Sequence, residues 1–224
     1  MSTSLLLAQL LNGLQYGVLL FLLAAGLTLV FGIMSFVNLA HGSLYMLGAY
    51  AAAVVGGHTG SFALAVLAAV AAGGLIGFAL ERLAVARLYR RDHLDHVLAT
   101  FGLVLFFNEA VRIVWGPSPL YFETPQWLSG TVELFGFGYA AYRLAIIVVG
   151  LAVAAFLAWL IHGTRVGMLI RAGASNAPIV SALGVDIRRL NMLIFGLGAG
   201  LAGLAGLMAG PIFSVQSGMG ETIL

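Results

Sequence analysis

The sequence predicts an all-α polytopic membrane protein, and three observations predict it. Of its 224 residues, 62% are hydrophobic and 8% charged, against about 25% charged in an ordinary soluble domain. Several apolar runs approach or exceed the ~20 residues that span a ~30 Å hydrocarbon layer. All ten basic residues are arginine, and eight of them gather in two loops, a distribution that reports topology and not nucleic-acid binding. With no cysteine in the chain, a disulfide framework and a thiolate metal site are both excluded.

About six transmembrane helices are expected, at roughly Leu5–Phe36, Leu44–Val55, Phe62–Leu80, Val97–Trp115, Ala141–Ile161 and Leu190–Phe213. The N-terminal Met1-Ser2-Thr3-Ser4 lacks the positive start of a signal peptide, so the first run reads as a retained helix. The second run is short: about 12 residues cover only ~18 Å. It must borrow length from Asn38–Ser43 or be discontinuous at mid-membrane. Arg82, Arg87, Arg90 and Arg91 follow the third run, and Arg165, Arg171, Arg188 and Arg189 follow the fifth. Both loops are therefore expected in the cytoplasm. Gly116–Tyr139, with Glu123, Glu133 and the interface-type aromatics Trp115, Tyr121, Phe122 and Trp127 in or beside it, is expected outside, as is the N-terminus. Three runs on each side of the Arg82–His96 loop would make two halves of opposite direction, though no internal sequence repeat accompanies them.

Asn38, His41, Gly42 and Ser43 interrupt a strongly apolar stretch. Unpaired amide or imidazole groups cost several kcal/mol in hydrocarbon, so they must meet a partner helix, a broken backbone or a water-filled path. Two readings follow. Either these residues line a solute pathway at a helix break, or they form a cytoplasmic turn in water; the short second run favours the first.

A second constellation lies between Gly163 and Arg189. Ser175 or Asn176 can cap a helix, Pro178 suits its first turn, and Gly184 can end it in the left-handed region. The expected product is a helix of about two turns, too short to stand alone. It would either dock a partner, through Arg171, Asn176, Pro178, Ile179, Val180 and Gly184, or lie on lipid headgroups. In the last run, Gly196-x-x-x-Gly200 and Gly206-x-x-x-Gly210 predict close helix packing. Glu109 and Arg112, spaced i, i+3, read as a mutually neutralising pair. Asp92-His93-Leu94-Asp95-His96 contains metal-ligand types but reads as a solvated tract, so no metal or cofactor is expected. No G-x-S-x-G or H-E-x-x-H occurs, and without lysine there is no Walker A motif, which argues against a catalytic centre in this chain.

Two stretches together resemble the permeases of branched-chain amino acid ABC importers of the LivH type. One is Gly26-Leu-Thr-Leu-Val-Phe-Gly32 through Asn38-Leu-Ala-His41-Gly42-Ser43 to Gly48-Ala-Tyr50. The other is Arg171-Ala172, Asn176 and Gly184-Val185 ahead of a Gly/Ala-rich run. The likeness extends from about Leu11 to the C-terminus. It implies one permease domain over residues 1–224, embedded in membrane lipid, with a cytoplasmic coupling loop at 163–189. It also implies a second, LivM-like permease subunit, two cytoplasmic ATPase subunits, an extracytoplasmic solute-binding protein, and no nucleic acid. The family usually has about eight spans, so the chain reads as C-terminally truncated after Glu221-Thr222-Ile223-Leu224. Family docking helices carry small alanines where Ile179 and Val180 stand here.

The expected function is ATP-driven import of branched-chain amino acids across the cytoplasmic membrane, with ATP hydrolysed on separate subunits. The alternatives are a urea or short-amide permease of the same kind, and an ATP-independent channel or secondary transporter using Glu109.

Overall fold

The protein is described by a computed structural model covering residues 3–89, 91–134 and 136–223; Arg90, counted above among the loop arginines, lies outside the described residues, as do Met1, Ser2 and Leu224. The helices are α1 (Thr3–Met34), α2 (His41–Thr59), α3 (Phe62–Leu80), α4 (Ala86–Leu88), α5 (His93–Trp115), α6 (Ala141–Gly163), α7 (Arg165–Ala182) and α8 (Ile187–Phe213). Among the described residues, five stretches are long and apolar enough to cross a membrane: Ser4–Met34, Phe62–Leu88, His93–Trp115, Ala141–Gly163 and Ile187–Phe213.

The expected third span ends at Leu80, but the chain stays helical to Leu88. A π-helical turn at Glu81–Val85 joins α3 to α4, so Arg82 and Arg87 ride on a helix and not on a loop. The wide turn accommodates Glu81, which is buried and accepts a hydrogen bond from the Tyr89 hydroxyl at 2.8 Å. Buried carboxyl groups need such partners.

α8 is the centre of the bundle: 72% of its apolar window is buried, against 22–33% for the other four spans. It packs most heavily on α3, then on α2 and α1. Small residues make that possible, because no side chain holds the backbones apart. A Cβ on Gly198 would lie 2.7 Å from the Gly26 carbonyl oxygen, and one on Gly206 would strike the Tyr45 carbonyl. α5 and α6 give Phe107, Val111, Tyr142 and Ile146 to the core, and on their outer faces they expose Leu98, Phe106, Ile113, Leu151 and Trp159.

The two ends of the bundle differ. At one end Arg82, Arg87, Arg91, Arg165, Arg171, Arg188 and Arg189 cluster near the ends of α1, α4, α6 and the start of α8. At the other, a β-hairpin of β1 (Thr131–Leu134) and β2 (Phe137–Ala140) turns at Gly136, whose φ of +82° suits glycine. Tyr139 and Arg143 both donate hydrogen bonds to the Asn12 side-chain oxygen there, Tyr139 at 3.2 Å and Arg143 at 2.5 Å, which fixes the start of α6 to α1.

Candidate functional site: a helix break at mid-bundle

The second apolar run is longer than its sequence suggests. α2 has 19 residues, extending past Leu44 to take in His41, Gly42 and Ser43, and past Val55 to Thr59. It is not broken internally; the break lies before it, at residues 35–40. Ser35 turns the chain with φ of +48°, and the following segment climbs back along α1. His41 Nε2 sits 3.2 Å from the Leu23 carbonyl oxygen. Eleven residues separate Leu23 from Met34, or about 16 Å along the helix axis. α2 therefore starts near the middle of the bundle, with no side chain capping its first turn.

Asn38 is 4% exposed, His41 0% and Ser43 4%, so within this chain the reading of a turn open to water does not hold. Phe36 anchors the segment below, packing against Tyr89 and His96 at ring-centroid distances of 6.1 and 4.6 Å. A carbonyl can only accept, so the contact with Leu23 places the proton on His41 Nε2 and leaves Nδ1 as a bare acceptor. Among the described residues, that Nδ1 and the Asn38 Nδ2 donor are both buried without a partner. Such orphans are rare in native interiors. A donor and an acceptor are thus held three residues apart at the start of a helix.

A second irregular segment meets this point from the hairpin end. After α8, Val215 bridges to Leu120, and Asn108 of α5 binds the following turn: its Oδ1 accepts from the Gly218 amide at 3.2 Å and its carbonyl from Ser217 Oγ at 3.2 Å. Asn108 Nδ2 also donates to Glu221. A Cβ on Gly220 would strike the Gly42 carbonyl. Glu109 beside it pairs with Arg112 at 3.5 Å with its side chain mostly exposed.

At the arginine-rich end, α7 is two helices in line. Thr164 caps the first by accepting the Gly167 amide at 3.0 Å. Asn176, with extended backbone (φ −158°, ψ 88°), breaks the run, and its Oδ1 accepts the Ile179 amide at 3.1 Å, so it caps the second. Pro178 falls in that second helix's first turn, and Gly184 follows its end with φ of +88°. The expected loop from Arg171 onward is therefore mostly helix, with Arg171 donating to the Ile161 carbonyl. Ile179 is 59% exposed and Leu183 79%, whereas Val180 is only 7% exposed. Of the two large residues marked by sequence, only Ile179 can meet a partner.

Comparison with protein-family models matches residues 9–223 to the family described as "Branched-chain amino acid transport system / permease component". This chain belongs to that permease family. The high-affinity branched-chain amino acid transport system permease protein LivH of Escherichia coli K12 is 28% identical to it, over 93% of this chain and 72% of LivH. BraD of Pseudomonas aeruginosa, described in the same words, is 30% identical over 93% of this chain and 72% of BraD. The ribose import permease protein RbsC of Escherichia coli K12 is 30% identical over 84% of this chain and 56% of RbsC. No solved structure matches. The permease family and the apolar helices together make this a multi-pass inner-membrane transport subunit.

Two features of this permease escaped sequence reading. Tight helix contacts fall at Gly26, Gly48, Gly73, Gly77, Gly198, Gly203 and Gly206, while Gly196 and Gly200 have looser neighbours at 3.4–3.5 Å and Gly210 meets Val215 at 3.2 Å. Of the four glycines marked by G-x-x-x-G spacing, Gly206 is among the tight ones; the spacing did not mark the others. The Asn108 clamp on the segment after α8 joins residues over a hundred positions apart, and only the polar break in an apolar run hinted at it.

Proposed function

We propose that the chain is the membrane-spanning subunit of an ATP-driven importer for branched-chain amino acids. It works beside a second, LivM-like permease, two cytoplasmic ATPase subunits and an extracytoplasmic solute-binding protein. The observation that carries this reading is the family match over residues 9–223. Its arginine-rich end faces the cytoplasm by the positive-inside rule, which puts the β-hairpin and the N-terminus outside.

The solute pathway runs past the start of α2, with Asn38, His41, Gly42 and Ser43 beside it. The two buried orphans there are complementary to an amino acid. Asn38 Nδ2 and the positive end of the α2 dipole suit a carboxylate, and the bare His41 Nδ1 suits an ammonium. The surrounding wall of Phe36, Leu22, Leu44 and Tyr45 suits a branched apolar side chain. In this conformation the point is closed, sealed by backbone contacts between Gly42 and Gly220 and between Gly26 and Gly198. Opening it requires those contacts to part.

The drive comes from the capped second half of α7, the coupling helix, which presents Ile179 and Leu183 to an ATPase subunit. Closure of the ATPases on ATP moves this helix, and α8, which follows within a few residues, carries the motion to the seal at Gly198. The chain itself hydrolyses nothing. The test is reconstitution with the three partner subunits and the binding protein, followed by competition of unlabelled valine, isoleucine and urea against labelled leucine. Valine and isoleucine should compete and urea should not. Competition by urea alone would refute the substrate assignment.

A further inference from the structure

The arginine-rich end contains a second site that the transport reading does not use. A cavity of about 1060 Å³ opens between the end of α1 (Ile33, Met34), the π turn and α4 (Glu81, Arg82, Arg87, Tyr89), Ala177 of α7, and the first residues of α8. It is as large as sites that hold drug-sized ligands. Arg82, Arg87, Arg188 and Arg189 line it against only two acids, Glu81 and Asp186.

Those acids are already engaged. Glu81 accepts from the Tyr89 hydroxyl at 2.8 Å, and Asp186 pairs with Arg189 at 3.0 Å while capping α8 through the Arg189 amide at 3.1 Å. Among the described residues, Arg82, Arg87 and Arg188 make no ion pair. Three guanidinium groups outside any ion pair therefore line one chamber whose nearest acid, Glu81, already holds the Tyr89 hydroxyl, and guanidinium matches phosphate oxygens in geometry. The wall also holds Asn191, whose Oδ1 is buried without a partner among the described residues and can accept from a hydroxyl. Ile33, Met34, Ile187 and Met192 complete an apolar side.

We propose that this cavity binds the headgroup of an anionic phospholipid, with its phosphate on Arg82, Arg87 and Arg188 and a headgroup hydroxyl on Asn191. Three observations select a lipid over a soluble anion. The cavity lies where the apolar spans of α1 and α8 end and begin, where apolar helices give way to charged residues. Its wall is part cationic and part apolar, matching a molecule of that kind. Basic pockets between helix ends on the cytoplasmic side are a recurrent setting for such headgroups. The bound lipid would join α4 to α8 and to Ala177, steadying the coupling helix from behind. Ile179 and Leu183 are not part of the lining, so a partner can seat on them while the cavity is filled. None of this depends on which solute is carried.

The experiment is a thermal-unfolding titration of the purified full chain in neutral detergent with phosphatidylglycerol, phosphatidylcholine or glycerol phosphate. The Arg87→Gln/Arg188→Gln variant is compared with Arg91→Gln, an exposed arginine outside the cavity. Phosphatidylglycerol should raise the wild-type midpoint by at least about 3 °C. It should do the same for Arg91→Gln and fail to do so for the double variant, with phosphatidylcholine inactive throughout. Equal shifts from both lipids, or an undiminished shift in the double variant, would overturn the proposal. A full shift from glycerol phosphate would overturn the lipid assignment.

Discussion

At His41 one ring nitrogen is engaged and the other is bare, and Asn38 holds an unused donor one turn away. Replacing an unsatisfied buried amide with an apolar group of similar shape is close to neutral for stability. Asn38→Leu should therefore unfold in detergent within a few degrees of wild type while losing leucine uptake at least about tenfold, as the loss of one charged contact implies. Parallel loss of both properties would mean that Asn38 only braces the turn. Gly206 makes the opposite case. A leucine there would be driven into the Tyr45 carbonyl, and overpacking of this kind costs about 1–3 kcal/mol or more. Gly206→Leu should lower the unfolding midpoint by several degrees, and an unchanged midpoint would refute the close α2–α8 approach. The polar break at Asn38–Ser43 was legible because polar groups in an apolar run demand a partner. Its inward path was not, because the contact between His41 and Leu23 is tertiary.

At the scale of the element, α7 separates what local chemistry decides from what packing decides. Asn176, Pro178 and Gly184 are punctuation that acts within a turn or two, so the second helix was readable in the sequence. The helix before it was not, since Thr164, its cap, is the single non-helical residue between it and α6 and the two merge in an apolar pattern. The facing of the second helix also required neighbours: Val180 is buried and Ile179 is not. Asn176→Ala should cost about 1 kcal/mol, visible as a lowered midpoint with full-length chain still recovered. Ile179→Glu should leave the midpoint unchanged and abolish co-purification of the ATPase subunits. Val180→Glu should lower the midpoint itself. Retention of the ATPases by Ile179→Glu would remove that residue from the docking face.

For the whole molecule, the long apolar helices were legible because length and hydropathy are properties of the chain alone. The central position of α8 was foreshadowed by its glycines, but the meeting of Gly220 with Gly42 depends on a segment folding back beneath α8's end. The absence of native cysteine makes orientation directly measurable. Thr124→Cys should react with a membrane-impermeant maleimide in intact cells and Ser181→Cys only after lysis, and the reverse pattern would invert the topology. If partner ATPases drive this permease through the coupling helix, labelled-leucine uptake into proteoliposomes holding the complete assembly, measured with and without ATP on the side of Ile179 for wild type and Ile179→Glu, should occur only with ATP and only for wild type. Equal uptake without ATP, or by the variant, would contradict that coupling.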